Sequence, residues 1–597
     1  MKDYDFSHWD LSENTKGLRF FAQVLEELLF HYGHDSLKVP ALNFRFLCIE
    51  IVNTIRKIEE NVIDKANINP LIEELKDSFE KDPVAKDLYG ENFESLFYAK
   101  NVKGMFQSKC TDIFKDPSSD SSLRHIEKVV RFLIDDMDIN DRYYISLKGQ
   151  IEASIRTVPF EYEAASQLYS LSRILLTDLV NYAYSHEYIY HVVKEIFYNR
   201  QKYICNVMDT MNDFWQSFDF SDHEYCVYLP LKKSNYAKYL QKFENISVSE
   251  NSDHFFNDSC NWLIKCELKS QDPEQARITA IRLVGFYISL LQYTNHKSRS
   301  FSAKNAIVID KSSNKEYHLK APVSLLKRGP NMGESQDGGA IAAMVEDFPL
   351  SKLANVVELH SSAIESNNVN NQLLNLWTII EILVPVEQKN SFSKINQICN
   401  SLTSVLNMQY IYSLVMQLAI DMLRCIPDIY EDIQRNVQDG NNPTEKVAAF
   451  LVLPKYGVKR TEILDNLSVY PLLKYRIMQY HSIFSNRLTI KSFLNTHNER
   501  LRWQIMRIYR NRNMIVHDGT FFPYISIIVQ NLHFYVDSLI DSVTAFAGMG
   551  YDSILSIFSA LQQTEYKRLL LLDKKGTDGK PLAITDDFVA VVLGGVM

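Results

Sequence analysis

The spacing of apolar residues divides the chain into a helical stretch, a mixed stretch and a second helical stretch. Over the first part, apolar side chains recur every three or four positions, as one face of a helix requires. In Gly17–His34 the positions Leu18, Phe21, Leu25 and Leu28/Leu29 follow this rhythm, with Gly33 as the expected stop. Ala41–Ile58, Pro70–Phe79, Ser122–Ile134, Glu161–Ala183 and Tyr188–Trp215 repeat it, so residues 1–215 are predicted to be helical. The rhythm then changes. Tyr225–Leu231 and Trp262–Leu268 read as strands, and Ala306–Asp310 and Glu316–Lys320 as a hairpin around Ser312-Ser313-Asn314. Asp272 before Pro273 is a helix start, for a helix running to about Tyr293. Residues 216–346 are thus expected to be a small α+β domain, closed by the turn-rich Lys327–Gly339. Helical spacing returns near Leu350 and lasts to Gly548. Residues 549–597 read as a C-terminal extension, with a turn at Gly576–Gly579 and Phe588–Met597 as a last strand or turn. The predicted fold class is mainly α, with a helical N-terminal region, a small α+β middle domain and a C-terminal helical bundle.

Composition supports this reading. With 597 residues, 46% of them hydrophobic, the chain is expected to form two to four domains with real cores. Its 19 Gly and 17 Pro are few for a fold of many short strands. The eight cysteines are scattered, and even Cys260 and Cys266 lack the spacing of a zinc knuckle or redox pair. No metal site, cofactor or disulfide framework is expected, which fits a reducing compartment. The polar start MKDYDFSHWD and the lack of a long apolar run predict a cytoplasmic protein without a membrane partner. His31 with His34, His186-Glu187 with His191, Asp135-Asp136 with Asp138, and the glycines of Gly329–Gly339 are weak signals, read as surface groups and plain loops.

Net charge is −9, which argues against a surface that coats nucleic acid. The distribution changes that picture. Lys474–Gly519 holds nine Lys and Arg against Glu499 and Asp518 alone. Such a surplus is expected at a polyanion site, with Arg500, Arg502, Arg507 and Lys491 as RNA-binding candidates and Tyr509, Phe521 and Phe522 available for stacking. Trp503 is read as core. Arg500–Val516 is predicted to be one helix ended by Asp518-Gly519, which puts His517 in its last turn. There the helix dipole favours an imidazolium that can give up a proton. Asn513 shares the face of His517, whereas Arg512 is turned about 140° away. A second helix, Asn371–Val384, is apolar nearly all round and carries one charge, Glu381. A lone buried carboxylate needs a partner, expected among Arg507, Arg510 and Arg512. The Arg-x4-His spacing alone is close to chance level. The context is what marks the site.

Trp377-x3-Glu381 followed by Tyr509-Arg510-x-Arg512-Asn513-x3-His517 resembles the HEPN superfamily, in particular its ApeA-like branch, over residues 350–548. The resemblance implies a four- or five-helix bundle that pairs across a two-fold axis as a homodimer or higher homo-oligomer. It also implies metal-independent endoribonuclease activity in phage defence or as a toxin. Arg512, His517 and Asn513 are then the catalytic residues, with Glu381 and Arg510 in support. Cellular RNA, tRNA included, is the expected substrate, and the N-terminal two thirds would sense a trigger of phage origin. The alternative is a HEPN module that binds RNA or a nucleotide, or only dimerises, without chemistry.

Overall fold

A computed structural model describes residues 6–30, 37–97, 116–231, 238–243, 245–250, 262–295, 305–320, 350–366, 368–386, 391–522, 524–551, 553–577 and 579–594. The loop Lys327–Gly339 and the pair His31/His34 lie outside the described residues. Helices dominate. They begin with α1 (Lys16–Leu28), α2 (Phe44–Glu59), α3 (Ile68–Lys81), α4 (Pro83–Tyr89), α5 (Asp120–Asp138), α6 (Arg142–Ile155), α7 (Tyr162–Asn181), α8 (His186–Phe197) and α9 (Val207–Gln216). The stretch Tyr188–Trp215 is two helices rather than one, and α4 and α6 were not anticipated.

The strands are β1 (His223–Leu231), β2 (Ile246–Glu250), β3 (Trp262–Ser270), β4 (Ala306–Asp310) and β5 (Glu316–Leu319), with α10 (Pro273–Asn295) between β3 and β4. They form one antiparallel sheet in the order β2-β3-β1-β4-β5. In β1 the alternate residues Tyr225, Val227, Leu229 and Leu231 are buried, as the two-residue period of a strand dictates. Ala276, Ala280, Val284 and Ile288 of α10, one turn apart each, cover them. Asp272 caps α10 by accepting from the Gln275 amide at 2.8 Å, and it also accepts from the Ser185 amide and hydroxyl. These elements belong to a unit of Asp178–Asn199 with Met208–Lys327.

The other unit takes in Met1–Thr177, Arg200–Val207 and Arg328–Met597. The N-terminal helices and the C-terminal helices are therefore one body, not separate consecutive domains. Its later helices are α11 (Leu350–Glu365), α12 (Val369–Leu383), α13 (Ser391–Met408), α14 (Tyr410–Cys425), α15 (Pro427–Asn436), α16 (Pro443–Val452), α17 (Gly457–Asp465), α18 (Pro471–Phe484), α19 (Arg487–Asp518), α20 (Ile525–Gly548) and α21 (Ile554–Leu572). Helices α12, α13, α19, α20 and α21 pack on one another. Residues 549–594 are part of this body: Leu572, Phe588, Val591, Val592 and Leu593 enter the core built by α14, α16 and α18. The apolar stretch near the C-terminus ends as one helical turn, Val589–Leu593, rather than a strand. Ile528, Val529, Leu532, Val536, Leu539 and Val543 of α20 are buried within the chain, which makes them core positions.

Candidate functional site

The candidate site lies on α19, which begins earlier than the periodicity predicts. Asn486 caps it by accepting from the Leu488 amide at 2.8 Å, and the helix runs unbroken from Arg487 to Asp518. Leu494, Leu501, Ile505 and Ile508 form its buried face, together with Trp503. Gly519 ends it at φ 68°, a left-handed conformation that suits glycine. The turn beyond is tied back by Asn511, which is fully buried. Its amide donates to the Arg507 carbonyl at 3.0 Å, and its oxygen accepts from the Phe522 amide at 3.2 Å.

The basic residues of this region have divergent fates. Arg507 and Arg510 are 2% and 1% exposed. Arg507 Nε lies 3.0 Å from Glu50 Oε2, and its Nη2 lies 2.5 Å from Glu74 Oε2. Arg510 Nη2 meets the other Glu50 oxygen at 2.7 Å. Burial by itself would raise the Glu50 carboxyl, but the two guanidinium groups outweigh it and hold it below the usual carboxylate range. For Glu74 burial wins and the carboxyl is raised despite Arg507. Two expectations are corrected here. Arg507 is an internal ion-pair partner, not an RNA contact, and Arg510 supports Glu50 rather than Glu381. Arg476 is likewise buried against Glu27 and Asp421, and Arg487 against Asp587 and the carbonyls of Leu571 and Leu582. The charge surplus along the sequence is largely cancelled by carboxylates from elsewhere in the chain. Lys491 pairs with Asp573 at 2.6 Å, and Arg502 donates to Asn396. Arg500 is exposed.

The last turns of α19 differ. The Arg512 side chain is 28% exposed. Its Nη1 donates to Asn513 Oδ1 at 3.1 Å, and its Nη2 stands 3.9 Å from Glu381 Oε2. Glu381 is partly exposed rather than sealed in the core, and its nearer cation is Lys394 Nζ at 3.0 Å. Lys394 was not anticipated. Trp377, one turn before Glu381, is buried with its ring 5.7 Å from that of Tyr509. His517 is exposed, and among the described residues it makes no hydrogen bond or ion pair. Val516 and Phe521 beside it are exposed apolar groups, whereas Phe522 is buried. The neighbouring Asp518 pairs with Lys57 of α2 at 2.6 Å, and this hydrogen bond, with that of Thr520, lowers its pKa.

Sequence reasoning missed Glu50, Glu74 and Lys57. Glu50 had a signal, since it sits among the apolar positions Leu47, Ile51 and Ile55 of α2, as Glu381 does on α12. Chemically, the end of α19 offers a guanidinium, a carboxamide and an accessible imidazole within two turns. Comparison with protein-family models, with curated proteins and with solved structures finds no match for this chain.

Proposed function

We propose that this protein is an endoribonuclease of HEPN type, acting in phage defence or growth arrest, with Arg512, Asn513 and His517 as its catalytic residues. The observation that carries the reading is the contrast along α19: Arg507 and Arg510 are buried and paired, while Arg512, Asn513 and His517 stay accessible at its end. In the proposed reaction the ribose 2′-OH attacks its own phosphate, leaving a 2′,3′-cyclic phosphate and a 5′-OH. Such chemistry calls for proton transfer and charge neutralisation and requires no metal. His517 moves the proton, Arg512 neutralises the phosphate oxygens, and Asn513 holds an oxygen or orients Arg512, to which it is already bonded. Arg500, Arg502 and Lys491 guide the RNA electrostatically.

On an unbroken helix Arg512 and His517 point about 140° apart. The working unit is therefore a symmetric dimer in which each copy completes the other's site, and the exposed Val516 and Phe521 are suited to its seam. The N-terminal helices restrain the enzyme through their grip on α19 until a phage-derived trigger is sensed.

The test is incubation of the purified protein with cellular RNA and with a defined strand carrying one 2′-deoxy nucleotide. Cleavage to cyclic phosphate ends, absent at the deoxy position and lost in Arg512→Ala and His517→Ala, is the expected result. Cleavage that tolerates both substitutions sinks the mechanism. Salt-dependent binding without cleavage favours the non-catalytic module instead.

A further inference from the structure

We propose that His360, His533 and Asp537 form a binding site for one divalent transition-metal ion of the zinc class. The three residues come from two helices. His360 is on α11, and His533 and Asp537 lie one turn apart on the same face of α20. Their candidate ligand atoms all fall within 4.8 Å of one another. His360 Nε2 is 2.9 Å from Asp537 Oδ1, and His533 Nδ1 is 3.7 Å from Asp537 Oδ2. The imidazole rings face each other with centroids 5.3 Å apart and planes inclined by 25°. The side chains are 24%, 7% and 12% exposed, so the donors are held by packing rather than waving in solvent.

The donor set is informative. Two imidazoles and one carboxylate suit zinc and its neighbours, and discriminate against magnesium and calcium, which favour oxygen ligands. A tetrahedral ion with bonds of about 2.0–2.2 Å places its ligand atoms roughly 3.3–3.5 Å apart. The 2.9 Å and 3.7 Å separations, made to the two oxygens of Asp537, flank that spacing, and no pair of donors exceeds 4.8 Å, so side-chain rotation alone brings the set around an ion. Three protein ligands leave a coordination position for water or a small anion. The ion would also pin α11 to α20, reinforcing the His360–Asp537 contact that already joins them. The cluster was invisible in the sequence because His360 and Asp537 are 177 residues apart. It shares no residue with the Arg512–His517 site, and its proof or failure is independent of ribonuclease activity.

The full chain, stripped with a chelator and dialysed, is titrated with zinc by calorimetry and with cobalt(II) by visible absorption. One equivalent of zinc, bound at micromolar affinity or better, is expected, with the intense visible bands of four-coordinate cobalt. Asp537→Asn, which keeps the shape and much of the hydrogen bonding, and His533→Ala should each weaken zinc by at least about 100-fold. The exposed His318→Ala should leave it unchanged. Should His533→Ala not fold, Asp537→Asn and the cobalt spectrum of the unaltered chain decide the matter. No stoichiometric zinc, cobalt that stays six-coordinate, or affinity unmoved in Asp537→Asn overturns the proposal.

Discussion

Two stretches of one helix, less than two turns apart, use arginine in opposite ways. In the middle of α19, Arg507 and Arg510 are sealed off from water and share Glu50 between them, with Glu74 as a second anion. At its end, Arg512 is partly open, touches Asn513, and stands at 3.9 Å from a carboxylate that a lysine already holds. Arginine density along a sequence therefore does not measure surface charge. A buried guanidinium must find its anion inside the protein, whereas an open one remains available to a ligand. Only the second kind can meet an RNA phosphate.

The largest effect should come from the open end. His517→Ala should reduce cleavage by on the order of 10²–10⁴-fold while leaving the melting temperature unchanged. Quantified cyclic-phosphate ends beside a thermal melt measure both. Next is the closed middle. Arg510→Ala leaves Glu50 with one partner and should cost roughly 3–5 kcal/mol in stability, read by denaturant unfolding. Replacing Glu50 and Arg510 together with Leu and Met should recover part of that loss; equal losses for the single and double variants would break the distinction. A smaller effect is expected at the exposed Arg500. Arg500→Gln should weaken RNA binding across sequences and lower the salt slope by about one, as filter binding at several ionic strengths would show.

The smallest effect concerns Asp518. Its folded pKa lies below that of the unfolded chain because Lys57 and Thr520 hydrogen-bond the ionised form. The stabilisation is thus present above the ordinary carboxylate pKa of about 4 and is lost as pH falls through the lowered value. Lys57→Met should lower the melting temperature slightly at pH 7 and by less at pH 3. An equal difference at both values would remove the ion pair from the account.

Local features were legible in the sequence, and their assembly was not. The Asp272-Pro273 start of α10, the β4–β5 hairpin and the stop at Gly519 each follow from residues adjacent in the chain. The strand β2 escaped notice because it is a five-residue edge strand with only two apolar positions, Ile246 and Val248, to carry the alternation. The local charge surplus misled because the balancing carboxylates lie far away in sequence, 460 residues in the case of Glu50 and Arg510. Periodicity reports which face of a helix is covered, and it is silent on what covers it. The same gap hid the joining of the first helices to the last into one body.

The shared Glu50 carboxylate has a consequence for how such a chain changes through descent. Glu50, Glu74, Arg507 and Arg510 form one electrostatic sentence written at opposite ends of the polypeptide. Loss of Glu50 strands Arg510 and loss of Arg507 strands Glu74, so viable lineages should alter the four in concert. A hybrid that joins the first helices of one lineage to the last helices of another should fail unless this quartet matches. The C-terminal third should therefore travel with its N-terminal companion rather than serve as a freely transplantable cassette.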